Sequence, residues 1–320
     1  MRTSSLRKDV NDEKMYRKIY EKYQVSNLPF FYNKFGEIIP LLGQYNGCGC
    51  FMICAGPSIK SISPITFTLP GIVSLGVNNV PRTIKTSFWV CVDKPDNFIT
   101  SIWLDPKIMK FVPFAFLRSQ IWDIRNGRWQ PLQIGDKQIL VEDCPNVVFY
   151  KRNEKFNAKR YLTEETINWG DKDRKEDGKL IESGCRSVML SALRVLYLLG
   201  FKRIYLVGAD FNMTVDYTYS FEQERSPSSI IGNNRTYVKM IERFEQLKEG
   251  FDKDGFKVMN CNKDSRLKVF DFIDLQDAID IEKSWLGNLE LENTEGLYDN
   301  SWEEKIKKVF RMRNGEEVRV

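Results

Sequence analysis

The chain has 320 residues, 42% hydrophobic and 28% charged, which suits a globular protein of one large or two modest domains and excludes wholesale disorder. Its net charge of +5 admits an anionic ligand or nucleic acid and demands neither. It contains no histidine, so the commonest general base and the commonest metal ligand are both missing from any mechanism.

The opening stretch "MRTSSLRKDVNDEK" lacks an apolar core, so no secretory signal is expected. No apolar run approaches the roughly 20 residues that span a bilayer. Cys48, Cys50, Cys54, Cys91, Cys144, Cys185 and Cys261 are odd in number and irregular in spacing. Reduced, partly buried thiols and a cytoplasmic setting are expected. "CGC" at 48–50 lacks a second Cys/His pair, so no metal site is expected.

In chain order, residues 8–24 carry apolar residues at helical spacing and predict an amphipathic helix; 25–47 reads as loop-rich. Short apolar runs follow at 50–55, 71–79, 87–96, 110–114 and 146–150, each apolar on both faces. Such runs predict strands of a parallel sheet covered on both sides. Residues 151–182 are dense in charge and read as an exposed loop. "SGCRSVMLSALRVLYLLG" (183–200) predicts a buried helix with Ser183 as a good N-cap and Gly200 at its end. "KRIYLVGADF" (202–211) is the clearest strand, and a helix followed by a strand is half of a βαβ unit. A helix over 235–252, a strand over 256–261 and two C-terminal helices complete the series. The sum is an α/β fold: a Rossmann-like, mostly parallel sheet flanked by helices, with a nucleotide site at the C-terminal strand ends. The expected organisation is an N-terminal extension (1–47), a catalytic domain (48–275) and a C-terminal helical extension (276–320).

The strand ends carry the chemistry. Gly56, Pro57 and Ser58 follow the first strand, and Asn78 and Asn79 the second. Asp93, Lys94 and Asp96 follow the third, and Gly208, Asp210 and Asn212 the strand at 202–208. Gly56 permits close backbone approach; Ser58 offers a cap or a hydroxyl. An ordinary strand-to-helix turn would use the same three residues. The loop is neither a Walker A loop nor a GxGxxG fingerprint. Ser183-Gly184 admits two readings, a helix cap or a helix start facing the ligand.

Taken together, "CAGPSIKSI", "GVNN" and "ESGCRSVMLSALRVLYLLGFKRIYLVGADF" resemble the bacterial lipooligosaccharide sialyltransferase family. Tyr219, Ser220, Phe221 and Glu222 resemble its Tyr-x-Phe-Asp segment, and "IIGNNRTYVKMIERFEQL" its Ile-Gly-His segment. "FKVMNCNKDSRLKVF" resembles its last strand and Asn-Ser loop. The resemblance covers roughly 50–270, with 100–180 poorly matched. The 6-hydroxymethylpterin diphosphokinase-like proteins share the GPS loop and the G-x-D run.

The resemblance implies an inverting, metal-independent glycosyltransferase with a CMP- or UDP-sugar-like donor. Gly56, Pro57, Ser58 and Asn78 would hold the nucleotide. Ser183 and Gly184 would touch its ribose or base, and Asp210 and Phe211 would close the pocket. Tyr219 would give its hydroxyl to the departing phosphate. Asn233 stands where the family has its histidine base, and an amide cannot accept a proton at neutral pH. Asp93, Asp216 and Glu222 are the alternative bases. Asn212 stands where a second tyrosine is expected, with Tyr217 a substitute. Arg225 and Arg235 are candidate phosphate partners. The acceptor is a glycan or a hydroxymethylated DNA base, the latter prompted by "SQIWDIRNGRW" (119–129), whose aromatics suit stacking on bases or sugars or the covering of a hydrophobic edge. Two other readings stand beside this one. The first is an ATP- and magnesium-dependent diphosphokinase using Asp93, Asp96 and Asp210; the second is a non-catalytic nucleotide-sugar binder.

Overall fold

The computed structural model describes residues 31–125, 128–171, 185–221 and 226–285. The helices expected over 8–24 and 301–312 lie outside these residues.

One large sheet organises the fold. Its strands are β1 (Phe31–Tyr32), β2 (Ile38–Ile39), β3 (Gly49–Ile53), β4 (Ser74–Val77) and β5 (Phe88–Val90). Then come β6 (Met109–Pro113), β7 (Val147–Tyr150), β8 (Arg203–Val207), β9 (Lys257–Asn260) and β10 (Asp271–Phe272). The spatial order is β10-β9-β8-β3-β4-β5-β6-β7-β1-β2. Every neighbouring pair from β10 to β7 is parallel; β1 alone runs against them, and β2, antiparallel to β1, returns to their direction. The chain therefore builds outward from β3 to β7, then returns to the other side of β3 to lay down β8, β9 and β10. The order of strands reverses between β3 and β8.

Both faces are covered, as the unbroken apolar runs predict. Along β3, Cys50 and Met52 enter the larger core, while Phe51 and Ile53 enter the smaller one on the opposite face. β8 divides the same way, with Ile204 and Leu206 on one side and Tyr205 and Val207 on the other. Helices α2 (Val188–Leu199) and α3 (Pro227–Lys253) pack on the first face. Helix α4 (Leu275–Trp285) brings Ala278 and Ile279 to the second. The short α1 (Thr100–Leu104) buries Ile102 and Trp103 beside β5. Among the described residues no helix is long and apolar enough to cross a membrane.

Four boundaries differ from the sequence reading, each because tertiary contacts override local pattern. Residues 31–39 are not loop but a hairpin that closes one sheet edge, with Phe31 and Tyr32 buried. The described part of the charged stretch, 151–171, is folded around buried Tyr161, Ile167 and Trp169. Helix α3 starts at Pro227 behind an Ser226 cap, eight residues earlier than expected, and so takes Ile231, Gly232 and Asn233 into the helix. The edge drawn at 275 cuts into α4, whose Glu282 is 2% exposed. Glu282 accepts from the Gly49 N–H at 2.8 Å and from the Tyr205 hydroxyl at 2.7 Å, and it pairs with Arg203 at 2.6 Å. That carboxylate pins the starts of β3 and β8 to α4.

Candidate functional site

The reversal of strand order leaves a crevice beyond the carboxyl ends of β3, β4 and β8, where neighbouring connections run to opposite faces. A cleft of about 320 Å³ occupies it. The loops after β3, β4, β5 and β8 supply Gly56, Asn78, Asp93 and Asp210 to its wall. Phe211 and Asn212 continue that wall, Tyr219 closes it from further along the same loop, and Asn233 faces it from α3. Eight of the residues singled out in the sequence thus meet in one place, although they are spread over almost 180 positions.

The backbone there is tightly drawn. Gly56 N–H donates to the Gly208 carbonyl at 2.9 Å, and a Cβ on Gly56 would lie 2.3 Å from that oxygen. Gly56 is therefore required by the approach of β3's loop to β8's loop. Asn78 (φ 52°) and Phe211 (φ 55°) are both left-handed, a region costly for a bulky residue such as phenylalanine. Packing holds Phe211 there: its ring lies 5.1 Å from Tyr237 and 6.1 Å from Phe244. Asn234 clamps the same loop, accepting from the Met213 N–H at 3.1 Å and donating to the Met213 carbonyl at 2.8 Å. The Ser220 N–H donates to the Ala55 carbonyl at 2.9 Å and so delivers Tyr219 to the end of β3. Tyr219 stacks on Phe221 with ring centroids 5.5 Å apart.

Asp210, besides lining the cleft, ties two strand ends together. It is 5% exposed and accepts from the Ser58 N–H at 2.9 Å, from the Ser58 hydroxyl and from Asn262 Nδ2 at 2.8 Å. Hydrogen bonds to a buried carboxylate contribute about 1.5–3 kcal/mol each. Ser58 thus spends its N–H and hydroxyl on Asp210, and neither Pro57 nor Ser58 lines the cleft. The GPS loop and Asp210 form a latch that holds two strand ends together.

The helix start also moves. Ser187, not Ser183, caps α2, accepting from the Met189 N–H at 3.2 Å, and Ser187 lines the cleft. Ser183, Gly184 and Glu222 lie outside the described residues, as does Arg225. Arg235 is exposed and lines neither lobe of the site; Tyr217 is 41% exposed and also outside the cleft wall. Burial and the Asp210 carboxylate push the Tyr217 hydroxyl up.

Three residues were missed. Trp169 is 7% exposed, lines the cleft and has no hydrogen-bond acceptor for its indole N–H among the described residues. Two guanidiniums lie against its ring, Arg152 at 4.6 Å and Arg186 at 4.9 Å from the centroid. Such contacts contribute about 0.5–2 kcal/mol each. Arg186 also lines the cleft, immediately before the α2 cap. Backbone pairing of Gly170 with Arg186 and the Ser187 N–H to Trp169 carbonyl bond of 2.8 Å place these side chains. "NWGD" and "CRS" gave a faint signal, a tryptophan and an arginine without apolar periodicity around them.

Asp93 projects from the loop after β5. Asp93 is an exposed residue of the cleft wall; partial desolvation pushes its carboxyl above the ordinary range, and the Arg152 and Arg186 guanidiniums pull it back. Among the described residues no group of three or more Cys, Asp or Glu side chains is placed to hold a metal ion. Asp210, one of the three carboxylates a magnesium site would need, is committed to Ser58 and Asn262.

A second lobe of about 330 Å³ adjoins the first. Ala55, Asn78, Asp93 and Tyr219 line both, and Asn79, Asn97, Phe98 and Phe221 complete the second.

No family model matches the chain, and no curated protein matches it. Among solved structures the chain is similar to the sialyltransferase CstII from Campylobacter jejuni, solved in complex with a substrate analogue, cytidine-5'-monophosphate. The two share 12% identity at a TM-score of 0.32, over 71% of this chain and 85% of that one. A likeness this loose assigns no chemistry by itself.

Proposed function

We propose that the protein is a glycosyltransferase that binds a nucleotide sugar, of the CMP- or UDP-sugar kind, in the cleft at the β3/β8 reversal of a Rossmann-like sheet. One observation carries this reading. Strand-end residues and a tyrosine from four separate loops line a single crevice at the place where doubly wound sheets hold nucleotides. The size agrees, since ligand clefts run from about 300 to 1,000 Å³. The sequence resemblance to lipooligosaccharide sialyltransferases points to the same residues.

Gly56, Asn78, Phe211 and Asn212 form the nucleotide wall. Asp210 and Ser58 act behind it by holding the loops together. Departure of a nucleotide leaves negative charge on phosphate, which preorganised donors stabilise best in a site shielded from water. Three such donors border the cleft: the Tyr219 hydroxyl, the Arg186 guanidinium and the N-terminus of α2 behind Ser187. Transfer proceeds with inversion, the acceptor hydroxyl attacking the anomeric carbon opposite the leaving phosphate. The two adjoining lobes suit two substrates, donor in the first and acceptor in the second.

Turnover of CMP- and UDP-sugars, followed by nucleotide release, tests the reading. Wild type releases nucleotide, and Tyr219→Phe slows release at least tenfold without altering the far-UV circular dichroism spectrum. Equal rates in the two proteins would remove Tyr219 from the leaving-group role. Magnesium-dependent consumption of ATP with a pterin acceptor would replace this reading by the diphosphokinase one.

A further inference from the structure

Glycosyl transfer leaves one proton without a destination, and the inference here rests on that reading. An attacking hydroxyl must lose its proton as the new bond forms. Asn233 cannot accept it; its amide Nδ2 lies 3.3 Å from Met213 Sδ. Asp210 has its carboxylate committed to Ser58 and Asn262. Asp216 lines neither lobe.

Asp93 is placed differently. It stands on the wall that the two lobes share, beside Asn78 and Tyr219. Among the described residues no hydrogen bond or ion pair holds its carboxylate, whereas Asp105, Asp143 and Asp171 are all paired. A carboxylate at the junction of a donor lobe and an acceptor lobe, with its lone pairs uncommitted, has the geometry of a base. We propose that Asp93 is the catalytic base, taking the proton of an acceptor hydroxyl that enters through the second lobe.

The step balances. The acceptor O–H proton passes to an Asp93 oxygen as the acceptor oxygen bonds to the anomeric carbon. The bond from that carbon to the phosphate oxygen breaks, and its electron pair leaves with the nucleotide. Asp93 then returns the proton to water.

The surroundings tune this base. Arg152 and Arg186 face it from the 152–153 and 185–187 segments and favour the carboxylate. Cys91 and Tyr150 lie within electrostatic reach, and both stay protonated through burial. Lys94 and Asp96 are on its own loop, and Tyr219 is across the wall. Partial desolvation prevails and raises the Asp93 carboxyl. A base must be deprotonated to act, so the rate rises with pH through this raised value and levels off above it.

The test measures kcat/KM from pH 4 to 9, with CMP-N-acetylneuraminate, UDP-glucose and GDP-mannose as donors and methyl β-galactoside as acceptor. Calorimetric titration with CMP, UMP and GDP runs alongside. Wild type should show an acid limb above the ordinary aspartate value of about 3.9. Asp93→Asn should lose about 10²–10⁴-fold in transfer and lose the limb, while nucleotide affinity stays within about threefold. Asp93→Glu should restore part of the rate together with a limb. If nucleotide binds but Asp93→Asn keeps its rate within tenfold, or keeps the limb, the base assignment is overturned alone. If wild type neither binds a nucleotide nor turns over a donor, glycosyl transfer falls and the base assignment with it.

Discussion

The close contact between the loops after β3 and β8 can be tested by adding one methyl group. In Gly56→Ala the new Cβ would meet the Gly208 carbonyl oxygen at 2.3 Å and the Asp210 carboxyl carbon at 2.7 Å. An unstrained contact needs roughly 3.4 Å or more, so the loops must part by about 1 Å. Gly56 sits at ordinary φ (−65°), so backbone strain adds nothing and the whole cost is steric. Overpacking of this kind costs about 1–3 kcal/mol. Parting the loops also weakens the 2.9 Å Gly56–Gly208 hydrogen bond, a further ~1 kcal/mol. The sum is about 2–4 kcal/mol, equivalent to a Tm lower by roughly 4–8 °C for a chain of this length. Urea unfolding followed by circular dichroism measures it, with nucleotide affinity determined on the folded protein. Nucleotide binding should weaken at least tenfold, because Asn78 and Asp210 lose their relative positions. Stability within about 0.5 kcal/mol of wild type would refute the claim that Gly56 is fixed by the approach of β8.

Two further outcomes follow from the same structure. Burial pushes the thiols of Cys54, Cys144 and Cys185 up to about 12. Unfolded thiols ionise near about 8.5, so the unfolded chain binds fewer protons above that pH and stability falls from there towards 12. Each thiol contributes about 1.4 kcal/mol of loss per pH unit in that window, and the urea midpoint should drop accordingly between pH 8 and 10. Replacing these three by alanine should reduce that slope, with buried Cys50, Cys91 and Cys261 supplying the remainder; an unchanged slope would contradict their burial. Trp169→Phe keeps a ring against the Arg152 and Arg186 guanidiniums but deletes the buried indole N–H, which has no acceptor among the described residues and would be free to meet one on a bound ligand. The loss of one hydrogen bond, about 1 kcal/mol, predicts nucleotide affinity about fivefold weaker at unchanged stability, read by calorimetry. Unchanged affinity would remove Trp169 from the ligand's contacts.

Much of the sheet was legible because its strands are short apolar runs of a covered parallel sheet, and each ends in small or polar residues. β3, β8 and β9 fall within a residue or two of the expected positions. Gly200 ends α2 in the left-handed conformation that its place in "LLGF" predicts. The start of α2 was misread because Ser183 and Ser187 are both good caps, and local pattern cannot rank them. Only the antiparallel zip of Gly170 against Arg186 decides for Ser187. For Asp210 the strand-end position was legible, but its partners were not: Ser58 and Asn262 are 152 and 52 residues away. Trp169 and Arg186 were hidden for a related reason, since a charged surrounding sequence reads as solvated surface until tertiary pairing buries it. The hairpin edge at 31–39 was missed because two-residue strands carry no periodicity to detect.

The most direct measurement of the central claim is a thermal-shift panel of CMP, UMP, GDP and ADP, with and without magnesium. A ligand that binds only the folded chain raises its stability by about 2.7 kcal/mol at a hundredfold excess over Kd. At least one pyrimidine nucleotide should therefore raise the Tm by roughly 5 °C, equally with and without magnesium, and Gly56→Ala should lose that response. No shift with any nucleotide would contradict a nucleotide site at the β3/β8 crevice, and a shift with ADP that requires magnesium would contradict a glycosyltransferase.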